Sequence, residues 1–269
     1  MSSMAQAAIL GIVQGLTEYL PVSSTAHLIL VRWLLGWQDQ FLNSLTFDVA
    51  LHLGTLLTTL LYFRREWLDL VLRLLRRQRN AIHETLAICV GCVPAIVAGG
   101  LYGETVATYL RSPLIVAAAL LAGSLLMLAG DAFGRPKGGA VSLRQAFLIG
   151  IGQAIALVPG ISRSGATIGM GVLVGVDRVA AARFSFMLAA PILAGAGARR
   201  LLLFEQAEFG AIDLSHAIVG IASAALGGLI AIHWLLRYLQ TATLRAFVIY
   251  RVVLASVVIL VTTGSGGAP

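Results

Sequence analysis

Charge is scarce in this chain. Charged residues fill 12% of its 269 positions, against 58% hydrophobic ones. A soluble domain carries about a quarter charged residues, so a globular surface in water could not be covered. That shortage excludes a disordered segment and an ordinary water-soluble enzyme. Cysteine is nearly absent as well, which excludes a disulfide-built secreted scaffold. Its two representatives, Cys89 and Cys92, lie inside the apolar run Leu86–Leu101 with no second pair and no basic flank. They are expected to be small packing residues, not a redox or metal pair. Lysine occurs once, at Lys137, and no basic residue precedes Arg32. A cleavable signal peptide, which opens with basic residues, is therefore not expected. The net charge of +7 resides in arginines placed between apolar runs. That is the pattern of membrane loops, and it excludes nucleic acid as a partner.

What is present is hydrophobic sequence, with a mean hydropathy of +0.90. The expected class is all-α, a polytopic integral membrane protein forming a single membrane domain over 1–269. Six apolar runs are long enough to span a bilayer: about 45–63, 84–103, 113–131, 180–203, 215–236 and 246–264. Two others, about 5–36 and 143–176, are broken in the middle by Pro, Ser and Gly. The breaks run Pro21-Val22-Ser23-Ser24-Thr25 and Pro159-Gly160-Ile161-Ser162-Arg163-Ser164-Gly165. Each half is too short to cross about 30 Å of hydrocarbon, so both regions are expected as re-entrant helical hairpins.

Arginine sets the orientation. Arg64–Arg79, Arg135, Lys137, Arg144, Arg178, Arg183, Arg237 and Arg245 fall on one side, which becomes cytoplasmic. The 64–79 segment reads as a solvated face touching anionic headgroups. The opposite side holds both termini, Arg32 and Arg111, with Asp39, Glu104, Glu205, Glu208 and Asp213. Arg199 and Arg200 fit poorly and read as snorkelling to the outer interface. Arg251 finds no place in this scheme.

An internal repeat supports the layout. Gly11-Ile12-Val13-Gln14 matches Gly150-Ile151-Gly152-Gln153, each copy then reaches its break, and each is followed by a span opening with Phe, at Phe47 and Phe184. Repeat 1 covers about 1–135 and repeat 2 about 136–269. Three crossings separate the copies, so they form an inverted-topology repeat whose broken helices meet near the midplane.

Polar side chains are costly at a bilayer centre, roughly 2.5–3.5 kcal/mol for an Arg or Asp, which makes them functional candidates. The first hairpin holds Gln14, Glu18, Ser23, Ser24, Thr25 and His27; the second holds Ser162, Arg163, Ser164 and Thr167. Gln14 and Glu18, four apart, share a helix face. Ser24 and His27, three apart, can meet if a half-helix starts near Ser23. Half-helix N-termini attract phosphate, and the Arg163 fork matches its oxygens. A phosphate or pyrophosphate ligand suits this set. His52, four residues from Asp48, reads first as a polar helix contact or an interfacial residue and second as a cavity-lining one, and His216 and His233 read as interfacial.

Through Gly11–His27 (GIVQGLTEYLPVSSTAH) and Pro159–Thr167 (PGISRSGAT) the chain resembles the undecaprenyl-diphosphate phosphatases of the bacitracin-resistance (BacA/UppP) family. The resemblance implies hydrolysis of undecaprenyl diphosphate to the monophosphate, in the bacterial cytoplasmic membrane, at a site opening to the periplasmic side. It implies a phosphate-binding Arg163 flanked by Ser162 and Ser164, and a divalent cation, Mg²⁺ or Ca²⁺, with no organic cofactor. The family carries Glu or Gln at the position of Gln14, which leaves Glu18 as the obvious carboxylate for metal. Ser24 is the expected nucleophile with His27 as its general base; Ser23 is the reserve, and His27 as direct nucleophile is the rival. Expected partners are the polyprenyl diphosphate, membrane lipids and a second copy of the chain. The competing class is a flippase for the lipid phosphate using the same residues.

Overall fold

The computed structural model describes residues 1–202 and 213–264. Among these residues the only regular structure is helical. In chain order the helices are α1 (Ser3–Tyr19), α2 (Ser24–Leu35), α3 (Leu45–Tyr62), α4 (Arg64–Leu75), α5 (Arg79–Tyr109), α6 (Pro113–Phe133), α7 (Leu143–Ile155), α8 (Arg163–Leu173), α9 (Arg178–Leu202), α10 (Leu214–Tyr238) and α11 (Arg245–Gly264). Six of them, α3, α5, α6, α9, α10 and α11, are long and apolar enough to cross a membrane. The chain is a multi-pass membrane protein. Side chains such as Leu101, Leu125, Leu226, Ile230 and Leu260 are exposed on the outer faces, as contact with lipid tails requires.

Helix starts follow local chemistry. Ser44 accepts from Phe47 N at α3, and Asp213 accepts from Ser215 N and His216 N at α10. Ser142 and Gln145 form a capping box at α7, and Ser112 caps α6 with Pro113 in its first turn. The 64–79 segment is ordered further than expected, because α4 occupies most of it. Its Glu66 pairs with Arg183 at 2.6 Å and its Arg73 bonds Asp69 and Glu84. The expected outer loop with Glu205 and Glu208, and the side chain of Arg200, lie outside the described residues. Arg199 lies 3.9 Å from Glu104, both exposed.

The two broken regions fall where the sequence places them. Helices α1 and α2 have 17 and 12 residues, α7 and α8 have 13 and 11. At 1.5 Å per residue none exceeds about 26 Å. Ser23 and Ser162, each at the N-cap of a second half-helix, are two of three non-glycine residues with positive φ among those described, at 77° and 73°. Ser24 and Arg163 then occupy equivalent first positions of α2 and α8.

Each hairpin packs on the other half of the chain. α1 lies on α10, α7 lies on α5, α8 lies on α6, and α3 and α9 meet in the middle. Small residues permit the approach: a Cβ at Gly11 would stand 2.5 Å from Gly220 O, and one at Gly150 would collide with Gly91 O. At one end of the bundle Asp131 joins α6, α9 and α11, accepting from Arg178 Nε at 2.8 Å and Leu244 N at 2.7 Å. At the other end Asp48 accepts from Arg32 at 2.7 Å and Arg111 at 3.0 Å.

Candidate active site

The breaks bring the polar residues of both hairpins together. Glu18, 5% exposed near the end of α1, is the hub. Its Oε1 accepts from Arg163 Nη2 at 3.0 Å and Nε at 3.3 Å. Its Oε2 accepts from Ser24 Oγ at 2.5 Å and Gln14 Nε2 at 3.1 Å. Four residues apart on one helix, Gln14 and Glu18 share a face as expected.

Arg163 is anchored from behind. Its Nη1 donates to Ser185 O at 3.3 Å, and Thr167 Oγ1 bonds both Arg163 O, at 2.7 Å, and Ser185 Oγ, at 2.5 Å. Ser164 Oγ donates to Leu20 O at 3.1 Å, tying the second break to the first. Ser162 Oγ accepts from Gly165 N at 3.1 Å and caps α8. Ser23 makes no such bond, so the first turn of α2 keeps its N–H groups uncapped. A buried, uncapped helix start is an anion site in waiting. Thr25, half-buried beside Ser24, has no hydrogen-bond partner for its hydroxyl among the described residues.

His27 departs from expectation. It does not meet Ser24. Its Nδ1 lies 2.7 Å from Ser23 O and its Nε2 lies 2.6 Å from Tyr250 Oη, with the two rings within 7° of parallel. The imidazole bends back to the carbonyl four residues earlier and its far edge is taken by α11. The acceptor at the Ser24 hydroxyl is Glu18 instead.

Several neighbours complete the centre, and among them His52 alone is a sequence candidate. His52 Nε2 stands 3.6 Å from Glu18 Oε2, while its Nδ1 engages Asp48 O at 2.8 Å. Tyr19 Oη donates to Thr55 O and lies 3.0 Å from Thr59 Oγ1. Tyr250, Arg251 and Ser185 come from spans far away in sequence, where no motif marks them. His216 pairs with Asp213 and lies 2.8 Å from Ser3 Oγ, away from this centre.

The family model described as bacitracin resistance protein BacA matches residues 7–257. The chain belongs to this family. An undecaprenyl-diphosphatase of Thermodesulfovibrio yellowstonii is 42% identical over 261 residues, spanning 97% of this chain and 98% of that one. One from Pelotomaculum thermopropionicum is also 42% identical, spanning 95% of each chain. One from Moorella thermoacetica is 40% identical over 262 residues, spanning 96% of this chain and 98% of the relative. These relatives are named for hydrolysis, not for transport. In this BacA family member, the matched region contains both breaks and every residue of the Glu18–Arg163–Ser24 centre.

For a divalent cation, the donors fit in part. Among the described residues there is no group of three His, Cys, Asp or Glu arranged to hold a metal. Gln14 Oε1, however, is buried without a partner beside the Glu18 carboxylate. One carboxylate and one amide oxygen suit a hard ion that takes its remaining ligands from phosphate and water.

Proposed function

We propose that this protein hydrolyses undecaprenyl diphosphate to undecaprenyl phosphate and inorganic phosphate. The observation that carries the reading is the Ser24–Glu18–Arg163 chain of contacts across the two breaks, in a chain whose relatives bear that enzyme's name. The product is the lipid carrier of cell-wall polymers, and bacitracin acts by sequestering the diphosphate. The location is the bacterial cytoplasmic membrane, with the 64–79 arginines inside and the site opening to the outer side. The halves 1–135 and 136–269 form the inverted repeat, supported by their matching breaks.

The terminal phosphate takes the Arg163 fork, with the uncapped N–H groups of α2 and the Ser23 and Thr25 hydroxyls around it. Ser162, Ser164 and Thr167 hold the Arg163 turn in place. Once Arg163 turns to phosphate, Glu18 is left to receive the Ser24 hydroxyl proton. Ser24 Oγ bonds to the terminal phosphorus, the bond from that phosphorus to the bridging oxygen breaks, and undecaprenyl phosphate leaves with that oxygen. Water then cleaves the phosphoserine, restoring Ser24 and releasing phosphate. Glu18 and Gln14 Oε1 would hold a Mg²⁺ or Ca²⁺ ion, whose chemistry is neutralisation of phosphate charge.

Phosphate release from a C55 lipid diphosphate by purified protein tests the reading. Turnover by the wild type and its loss in Arg163→Ala are expected. An inert wild type, or near-normal turnover in Arg163→Ala, would overturn it.

A further inference from the structure

Arg251 is the largest fully buried side chain among those described, at 0% exposure in the second turn of α11. A charge at this depth is costly to insert and needs dense hydrogen bonding. Arg251 has no ion pair among the described residues. It spends its donors on oxygens instead: Nε on Ser124 Oγ at 3.0 Å, Nη1 on Pro21 O at 3.4 Å, and Nη2 on Leu120 O at 2.8 Å and on Gly160 O and Ile161 O at 3.0 Å each. Pro21 belongs to the first break; Gly160 and Ile161 belong to the second. Pro21 and Gly160 each stand two residues before the positive-φ serine of their own break. One guanidinium therefore grips both breaks at equivalent places. Gly123 makes room for it: a Cβ there would collide with Ile161 O and Arg251 Nη2.

Two consequences follow for a polyanionic ligand. In a trans peptide the N–H points opposite to the C=O. A guanidinium that holds Ile161 O thus turns the Ser162 N–H away from itself, and the grip on Pro21 O fixes the turn that starts α2. The second consequence is charge. Glu18 cancels Arg163 across 3.0 Å, whereas the Arg251 charge has no carboxylate against it.

We propose that Arg251 is a positioning residue for the diphosphate. It locks the two breaks in mutual register, so that the first turns of α2 and α8 share one cavity, and it gives that cavity its net positive charge. Lysine at this position would keep the charge but could not bridge five oxygens with a planar fork. Charge and register are therefore separable by substitution.

The inference rests on the diphosphatase reading, and the test keeps the two apart. Wild type, Arg251→Lys and Arg251→Met are purified in detergent. Melting temperature, kcat and KM for the C55 diphosphate, and inhibition by inorganic pyrophosphate are measured for each. Arg251→Met is expected to weaken pyrophosphate inhibition and raise KM by roughly tenfold or more. Arg251→Lys is expected to recover most of that binding while kcat stays low, a split that loss of fold does not produce. An active wild type with a folded Arg251→Lys at full kcat overturns the inference alone, and so does a folded Arg251→Met with unchanged pyrophosphate inhibition. If Arg251→Met fails to fold, the kcat of Arg251→Lys decides. A wild type without diphosphatase activity overturns the reading beneath it and this inference with it.

Discussion

Ser24 donates its hydroxyl hydrogen to Glu18 at 2.5 Å, across the break that separates their two helices. The same carboxylate holds Arg163 from the opposite hairpin at 3.0 Å. One side chain thus touches both the proposed nucleophile and the proposed phosphate fork.

Glu18→Gln removes the proton acceptor but keeps the shape. Turnover should fall by about 10²–10⁴-fold, the range for a lost general base. Binding of inorganic pyrophosphate should persist, because Arg163 no longer has a competing carboxylate. Steady-state phosphate release together with calorimetric pyrophosphate titration reads both. Turnover near the wild-type level would place the acceptor elsewhere.

Tyr250→Phe removes the partner at His27 Nε2 and leaves the Nδ1 contact to Ser23 O. One neutral hydrogen bond is worth about 0.5–1.5 kcal/mol, so unfolding free energy in detergent should fall by about that much. His27→Ala should lose more, and the double variant no more than His27→Ala alone. Additive losses in that cycle would mean that Tyr250 acts independently of His27.

The positive φ angles at Ser23 and Ser162 have different compensation. A non-glycine residue in that region costs about 1–2 kcal/mol. Ser162 offsets part of it by capping Gly165 N at 3.1 Å, whereas Ser23 accepts no cap bond. Ser23→Gly should therefore melt at or above the wild type in detergent. Ser162→Gly should be less stable than Ser23→Gly by about 1 kcal/mol. The reverse order would show that the Ser23 hydroxyl carries stability.

The breaks were legible because proline and paired serines interrupt apolar runs whose halves are too short to span. The expected 5–36 and 143–176 became Ser3–Leu35 and Leu143–Leu173 with their loops. Glu18, Ser24 and Arg163 were legible as polar groups in costly positions. The partner of His27 was not. Spacing along a half-helix set it beside Ser24, but the side chain closes on Ser23 O, and Tyr250 arrives from the last span. Arg251 had no place in the arginine pattern because four of its five acceptors are backbone carbonyls, which leave no mark in a sequence. α4 could have been read from Trp67, Leu70 and Leu74 at helical spacing amid the arginines.

The most direct measurement is a quenched single turnover with undecaprenyl diphosphate labelled in its terminal phosphate, followed by mapping of the modified residue. The expected result is label on Ser24, absent from Ser24→Ala, which still binds pyrophosphate but turns over orders of magnitude more slowly. Label on His27, or robust turnover by Ser24→Ala, would contradict the serine mechanism.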